Sequence, residues 1–240
     1  MHIVGAGPGD PMLLTRRAAR LIGQADVVVL DRHSLDAVAR LAPSSSERCY
    51  VGRAAEGPAW STDRIVELIA ARAAEGLTVV RLKGGDPFVC SRGGEEHLAL
   101  RARGVPCGVV PGVSAFTAAP LAAGIVRGRA VTIVAGNEDP ASPSLDIAGL
   151  VDPLGSLVVL TGRAQQGVLA AGLIAAGLPS ATPVAVVHAA TKPAQRVAMT
   201  SVAGLGACHL PPPATVVIGP VPAPGGRPVT ASGRGHRAHP

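Results

Sequence analysis

Short runs of consecutive apolar residues alternate with segments whose apolar positions recur every three to four residues over the first half of the chain. That alternation predicts strands followed by helices. "HIVGAG" (residues 2–7) reads as a strand entering a glycine turn, and Asp10 with Pro11 predicts an N-cap and a favoured first helical residue. Leu14, Ala18, Leu21 and Ile22 then fall on one helical face. "DVVVL" predicts a second strand, residues 35–41 a short helix, and "RCYV" a third strand. A helix over 61–75 turns Ile65, Leu68, Ile69 and Ala73 inward and stops at Gly76. "LTVVRL" is the fourth strand, a helix over 95–103 closes at Gly104, and "CGVV" is the fifth strand. Strands alternating with helices at this spacing predict a parallel sheet with helices on its faces.

"PGVSAFTAAPLAAG" (111–124) reads as a connector and helix at a domain boundary, after which the pattern changes. "AVTIVAG", "SLVVLTG", "PVAVVHAA", "QRVAMTSV" and "ATVVIG" predict five strands with one clear helix over 164–176. More strands per helix predicts a mixed sheet. The expected fold class is therefore α/β in two domains, an N-terminal parallel-sheet domain over 1–112 and a C-terminal mixed-sheet domain over 113–222. Residues 223–240 are Gly, Pro, Arg and His rich, cannot bury a core, and are expected to be disordered.

Composition narrows the function classes. Trp60, Tyr50, Phe88 and Phe116 are the only aromatic residues, too few for a base-stacking platform. The formal charge is +6, but three arginines and no acid lie in 223–240. The rest holds 19 basic against 16 acidic side chains, an excess that suits an anionic small molecule at least as well as nucleic acid. Cys49, Cys90, Cys107 and Cys208 form no C-x-x-C pair, and His2, His33, His97, His188 and His209 show no ligand spacing, so no metal site is expected. The sequence shows neither a signal-peptide pattern nor an apolar run of membrane-spanning length. The expectation is a cytoplasmic protein with no membrane and no nucleic-acid partner.

Three strand ends carry glycine turns. "GAGPGD" has aspartate where G-x-G-x-x-G needs its last glycine, and a plain βα turn accounts for it equally. In "KGGDP", Gly84 and Gly85 remove side chains where backbone comes close to something, and Asp86 offers a carboxylate at the carboxyl end of a strand. Open α/β sheets bind ligands at that end. A tight turn capped by Asp86 is the plainer alternative. "PGVSA" places Ser114 where it can cap the following helix. Turns from strands one, four and five would converge on one cleft, suited to a small polar ligand with a flat, adenine-like part. Asp31 ends the second strand, facing the rim or capping the next segment. Walker A is excluded, since no G-x-x-x-x-G-K-[ST] occurs.

Taken together, "VGAGPGDPMLLT", "ADVVVLDR", "YVGR", "RLKGGDPFVCSRGGEE", "VVPGVSA" and "TPVAVVHAAT" resemble the tetrapyrrole methylase family, in order and over about residues 2–220. The resemblance implies two α/β domains with a cofactor cleft between them, a homodimer, and S-adenosyl-L-methionine as cofactor with S-adenosyl-L-homocysteine as product. It implies C-methylation of uroporphyrinogen III to precorrin-2, on the siroheme and cobalamin route. By that resemblance Pro8, Gly84, Gly85, Asp86, Val89, Ser114, Ala115, Thr161 and Ala190 contact the cofactor. Asp31 matches the family's aspartate and is expected to remove a proton, and Arg53 stands where the family has lysine.

Arginine keeps a charge but donates no proton near neutral pH, so at position 53 only anion binding survives. Thr161 replaces a family methionine, and "GIVRGRAVTIV" is shorter than the family's loop by about five residues and lacks its Thr-His-Arg, leaving Arg127 and Arg129. Three readings stay open on sequence: the tetrapyrrole enzyme, a relative methylating another acceptor, and a cofactor-binding protein without turnover.

Overall fold

A computed structural model describes residues 1–31, 35–52, 60–125, 130–136, 146–151, 155–160, 166–208 and 210–219. Arg53, Thr161, Arg127 with Arg129, and the 223–240 tail lie outside the described residues. The chain divides into two compact units, one ending at Ala118 and the other starting at Ala119.

In the first unit, β1 (His2–Gly5), β2 (Val27–Leu30), β3 (Glu47–Tyr50), β4 (Val79–Lys83) and β5 (Gly108–Val110) form one sheet in the order β3-β2-β4-β1-β5. Every pairing is parallel. The apolar runs have their explanation here: all four residues of β2 and all five of β4 are buried, as a sheet covered on both faces requires. On one face Val4, Val28, Leu30, Val80 and Leu82 pack with Ala18, Leu21 and Ile22 of α1 (Arg16–Ile22) and Val38 and Ala39 of α2 (Asp36–Ala39). On the other, Ile3, Val27, Val29 and Val79 meet Ile65, Val66 and Ile69 of α3 (Thr62–Ala74) and Leu100 of α4 (Gly93–Ala102). Each large side chain buried this way stabilises by about 1.5–3 kcal/mol.

One helix start differs from expectation. Asp10 accepts from Met12 N and caps only a 3-10 turn over Pro11–Leu13. Leu14 is extended (ψ 143°), which breaks the turn, and α1 begins afresh with Thr15 accepting from Ala18 N at 3.1 Å.

The second unit has β6 (Ala130–Ala135), β7 (Gly155–Leu160), β8 (Pro183–His188), β9 (Arg196–Ser201) and β10 (Ala214–Ile218), ordered β6-β7-β10-β8-β9. β6 runs parallel to β7 and the other neighbours are antiparallel, which makes the sheet mixed. Val159, Val184, Val186, Val216 and Ile218 pack with Leu169, Ala170 and Leu173 of α6 (Gln166–Ala175) and with Leu205. α5 (Ala115–Ala122) spans the division between the units. Among the described residues no helix is long and apolar enough to cross a membrane.

Candidate active site

Strands β4, β1 and β5 are consecutive neighbours, so their carboxyl ends bring the three glycine turns side by side. Ala6 N donates to Lys83 O at 2.7 Å, and Gly7 and Gly85 exchange two backbone hydrogen bonds, at 3.2 and 2.8 Å. A Cβ on Gly112 would stand 2.3 Å from Gly85 O and 2.8 Å from Gly5 Cα, closer than any side chain could be admitted. Gly85 itself needs glycine because its φ is +68°. Backbone hydrogen bonds thus join the β1 and β4 turns, and the β5 turn packs against them at Gly112 with no space for a side chain.

Gly84 is different. It is exposed, lacks a positive φ, and a Cβ there would find only Leu35 Cδ2, at 3.9 Å. Nothing in the described first unit requires glycine at this position. The bare backbone it leaves, at the ligand-binding end of a parallel sheet, fits a nucleoside cofactor lying against it.

Asp86 does more than the sequence suggested. One carboxylate oxygen accepts from Phe88 N at 2.9 Å, as a turn cap would, and the other accepts from Gly112 N at 3.1 Å. It therefore ties the β4 turn to the β5 turn, and a ligand can use only the lone pairs that remain. Ser114 is buried, and its carbonyl accepts from Thr117 N and Ala118 N at the start of α5. Ser114 Cα and Ala115 N lie 3.8 and 3.7 Å from where a Cβ on Gly85 would stand, so this expected pair does border the glycine turn. Pro8 follows the Gly7 bridge, and Val89 lies beyond Pro87; both are half-buried. Ala190 belongs to the second unit, at the end of β8, between Ala189 (φ 46°) and Thr191 (φ 66°). Two non-glycine residues flanking it in the left-handed region mark a strained turn of the kind concentrated at ligand sites.

Asp31 sits in a cluster that the sequence pattern did not reveal. Arg81, in the middle of β4 and fully buried, presents Nε and Nη2 to the two oxygens of Glu96 at 2.9 and 3.0 Å. Its Nη2 also donates a short hydrogen bond to Asp31 Oδ1. Lys83 Nζ donates to Glu96 Oε1 at 3.1 Å and pairs with Asp31 Oδ2 at 3.3 Å. Arg81 pairs across the sheet with Val29, two residues before Asp31, so the period-two pleat aims Arg81 and Lys83 to one face. Glu96 reaches that face from the first turn of α4. Two cations inside an otherwise apolar interior strand were the signal available in "VVRLK".

Burial alone would raise the Asp31 carboxyl, but the charges of Arg81 and Lys83 and their hydrogen bonds outweigh it and hold the group below its usual range. Burial likewise works against the Arg81 charge, and Asp31 and Glu96 more than offset it. Asp31 is thus an ionised carboxylate at neutral pH, with 26% of its side chain exposed while Arg81 and Glu96 are sealed. Among the described residues no group of three His, Cys, Asp or Glu is placed to hold a metal.

Comparisons with known proteins show the family of the chain. The family model of the tetrapyrrole (corrin/porphyrin) methylases matches residues 1–206. A siroheme synthase of Azotobacter vinelandii is 43% identical over 212 residues, which is 86% of this chain and 46% of that protein. The chain thus spans just under half the length of that curated relative. A uroporphyrinogen-III C-methyltransferase of Paracoccus denitrificans is 41% identical over 233 residues, covering 93% of this chain and 81% of that protein. Among solved structures, a uroporphyrin-III C-methyltransferase of Thermus thermophilus complexed with S-adenyl homocysteine aligns with TM-score 0.76 and 35% identity, covering 91% of this chain and 96% of that one.

Proposed function

The chain belongs to the tetrapyrrole methylase family, and we propose that it is an S-adenosylmethionine-dependent methyltransferase acting on carbon atoms of uroporphyrinogen III to give precorrin-2. The observation that carries the reading is local: β4 delivers Lys83 to the Asp31 carboxylate and runs directly into Gly84, whose open backbone leaves room for the cofactor.

When bound, S-adenosylmethionine supplies an electrophilic methyl group and leaves as S-adenosylhomocysteine. The residues of the chain have two tasks around that event. Gly84, Gly85, Ser114 and Ala115 present backbone at the carboxyl edge, and with Pro8, Asp86 and Val89 they orient the cofactor; Ala190 and Thr161 complete the set we assign to it. Because three loops are tied to one another by hydrogen bonds before any ligand arrives, this edge is preorganised, and positioning is the largest contribution such a site can make to methyl transfer. The second task is proton removal. An electron-rich ring carbon that gains a methyl group becomes cationic and regains neutrality by losing a proton, and we assign that proton to Asp31, an ionised and partly exposed carboxylate. Arg53 is assigned to the acceptor's carboxylates. The same reading makes the working unit a cytoplasmic homodimer, which ultracentrifugation would report as twice the chain mass.

Anaerobic incubation with uroporphyrinogen III and S-adenosylmethionine tests the assignment. Two methyl groups per acceptor, with S-adenosylhomocysteine released in step, are expected. Binding of S-adenosylhomocysteine without any methylated tetrapyrrole would overturn the acceptor, and an absence of binding would overturn the cofactor.

A further inference from the structure

Glu96 is hydrogen-bonded to none of the residues assigned to cofactor or acceptor, yet it is the hub of the buried cluster. Its Oε1 accepts from both Arg81 Nη2 and Lys83 Nζ, at 3.0 and 3.1 Å, and its Oε2 accepts from Arg81 Nε at 2.9 Å. The same two cationic groups each hold one oxygen of Asp31. Asp31 therefore has a cationic donor at each oxygen while 26% of its side chain remains exposed. Among the described residues the charged groups that face it are Arg81 and Lys83 from β4, with Glu96 of α4 directly behind them. Two positive charges against one negative leave Asp31 facing a net single positive charge. A cluster whose only purpose was to fasten α4 to β4 would be better served by apolar side chains, because burying the three charged groups Arg81, Lys83 and Glu96 costs desolvation that their pairing barely returns.

We propose, resting on the methyltransferase reading above, that Glu96 is a positioning residue for Asp31: through Arg81 and Lys83 it fixes the orientation of the carboxylate and the charge it faces during proton removal. Removing the Glu96 charge leaves Asp31 against two uncompensated cations. That stabilises the carboxylate and makes it a weaker base, so the acid limb of the rate profile moves to lower pH while turnover drops. Cofactor affinity is unaffected, because the glycine turn is untouched.

The test compares wild type, Glu96→Gln, Glu96→Asp, Lys83→Met and the double variant Glu96→Gln/Lys83→Met. It follows the pH dependence of anaerobic turnover and the carboxyl titration of Asp31 by carbon-13 NMR, with the resonance assigned through Asp31→Asn. Glu96→Gln is expected to lower kcat about tenfold and to move the Asp31 titration down by about one pH unit, with KM for S-adenosylmethionine within about twofold. Glu96→Asp retains the wild-type titration in large part. Lys83→Met moves it up, and adding Glu96→Gln brings it back, since the net charge facing Asp31 is then one again. This pair carries the test even where Glu96→Gln alone fails to fold. Identical Asp31 titrations with and without the Glu96 charge would overturn the proposal, as would a loss of stability with an unmoved acid limb. A wild type that forms no methylated product would defeat the methyltransferase reading instead, and the NMR titrations would still decide whether Glu96 governs Asp31.

Discussion

β4 of the first sheet and β7 of the second are both interior strands, and they bury opposite kinds of residue. β4 carries Arg81 and Lys83 into the protein, where Glu96 joins them. β7, fully buried over "GSLVVL", holds nothing more polar than Ser156, and the only other buried polar side chains described in its unit are Gln166 and Thr215. Apolar packing is the cheaper way to stabilise a sheet, so the second sheet shows what the fold needs for stability alone. In the first sheet Lys83 ends β4 beside the open glycine and Arg81 lies two residues before it, and the proposed function gives these buried charges a role in chemistry that folding alone does not require.

That contrast can be broken by mutation. The largest effect is expected at Asp31: Asp31→Asn should lower turnover about 10²–10⁴-fold while leaving S-adenosylhomocysteine binding within about threefold, measured by steady-state kinetics and calorimetry. Glu96→Ala leaves two buried cations without their shared partner and should cost about 3–5 kcal/mol in denaturant unfolding. Leu173→Ala, a fully buried truncation in the second core, should cost about 2–5 kcal/mol by cavity formation yet leave the pH profile of turnover unmoved. The sharpest test of the comparison is Arg81→Met with Glu96→Leu, which converts the interior of the first sheet toward the chemistry of the second. It is expected to be neutral or stabilising by up to about 4 kcal/mol, and to impair turnover nonetheless.

Acid pH probes the same difference more gently. The Asp31 carboxyl lies below its ordinary value of 3.8 in the folded chain. Its contribution to stability is therefore present above that value and is lost as pH falls through the lower folded value. The melting temperature should drop below about pH 4, with a shallower drop in Asp31→Asn. The smallest effect concerns Cys49, whose thiol is pushed up to about 11 by burial and by its hydrogen bond to Glu47. At pH 8, iodoacetamide should label exposed Cys90 well before Cys49.

Much of the fold is legible in the sequence alone. Consecutive valines in "DVVVL" read as a strand, which the structure buries along its whole length, and strands alternating with helices led to the parallel sheet. The convergence of the three glycine turns followed from the same topology. The start of α1 was misplaced because Asp10 and Pro11 form a sound cap for a 3-10 turn, and no local rule reveals that Thr15 caps a second start. The charge cluster was illegible for a different reason. Its members are 13 to 15 residues apart along β4 and α4, and 50 from Arg81 back to Asp31, so pairing is decided by register and not by spacing. The second tie of Asp86, to Gly112 N across 26 residues, was hidden in the same way.

The central claim, that the unobstructed backbone at Gly84 is kept for a sulfonium nucleoside, is tested most directly by titrating S-adenosylhomocysteine into wild type and Gly84→Ala in a calorimeter. With Leu35 Cδ2 at 3.9 Å as the nearest obstacle, the added methyl group should leave the melting temperature unchanged or slightly raised. Binding to wild type with a Kd raised about tenfold or more in Gly84→Ala is the predicted result. Equal affinity in the two proteins, or no binding to either, would contradict it.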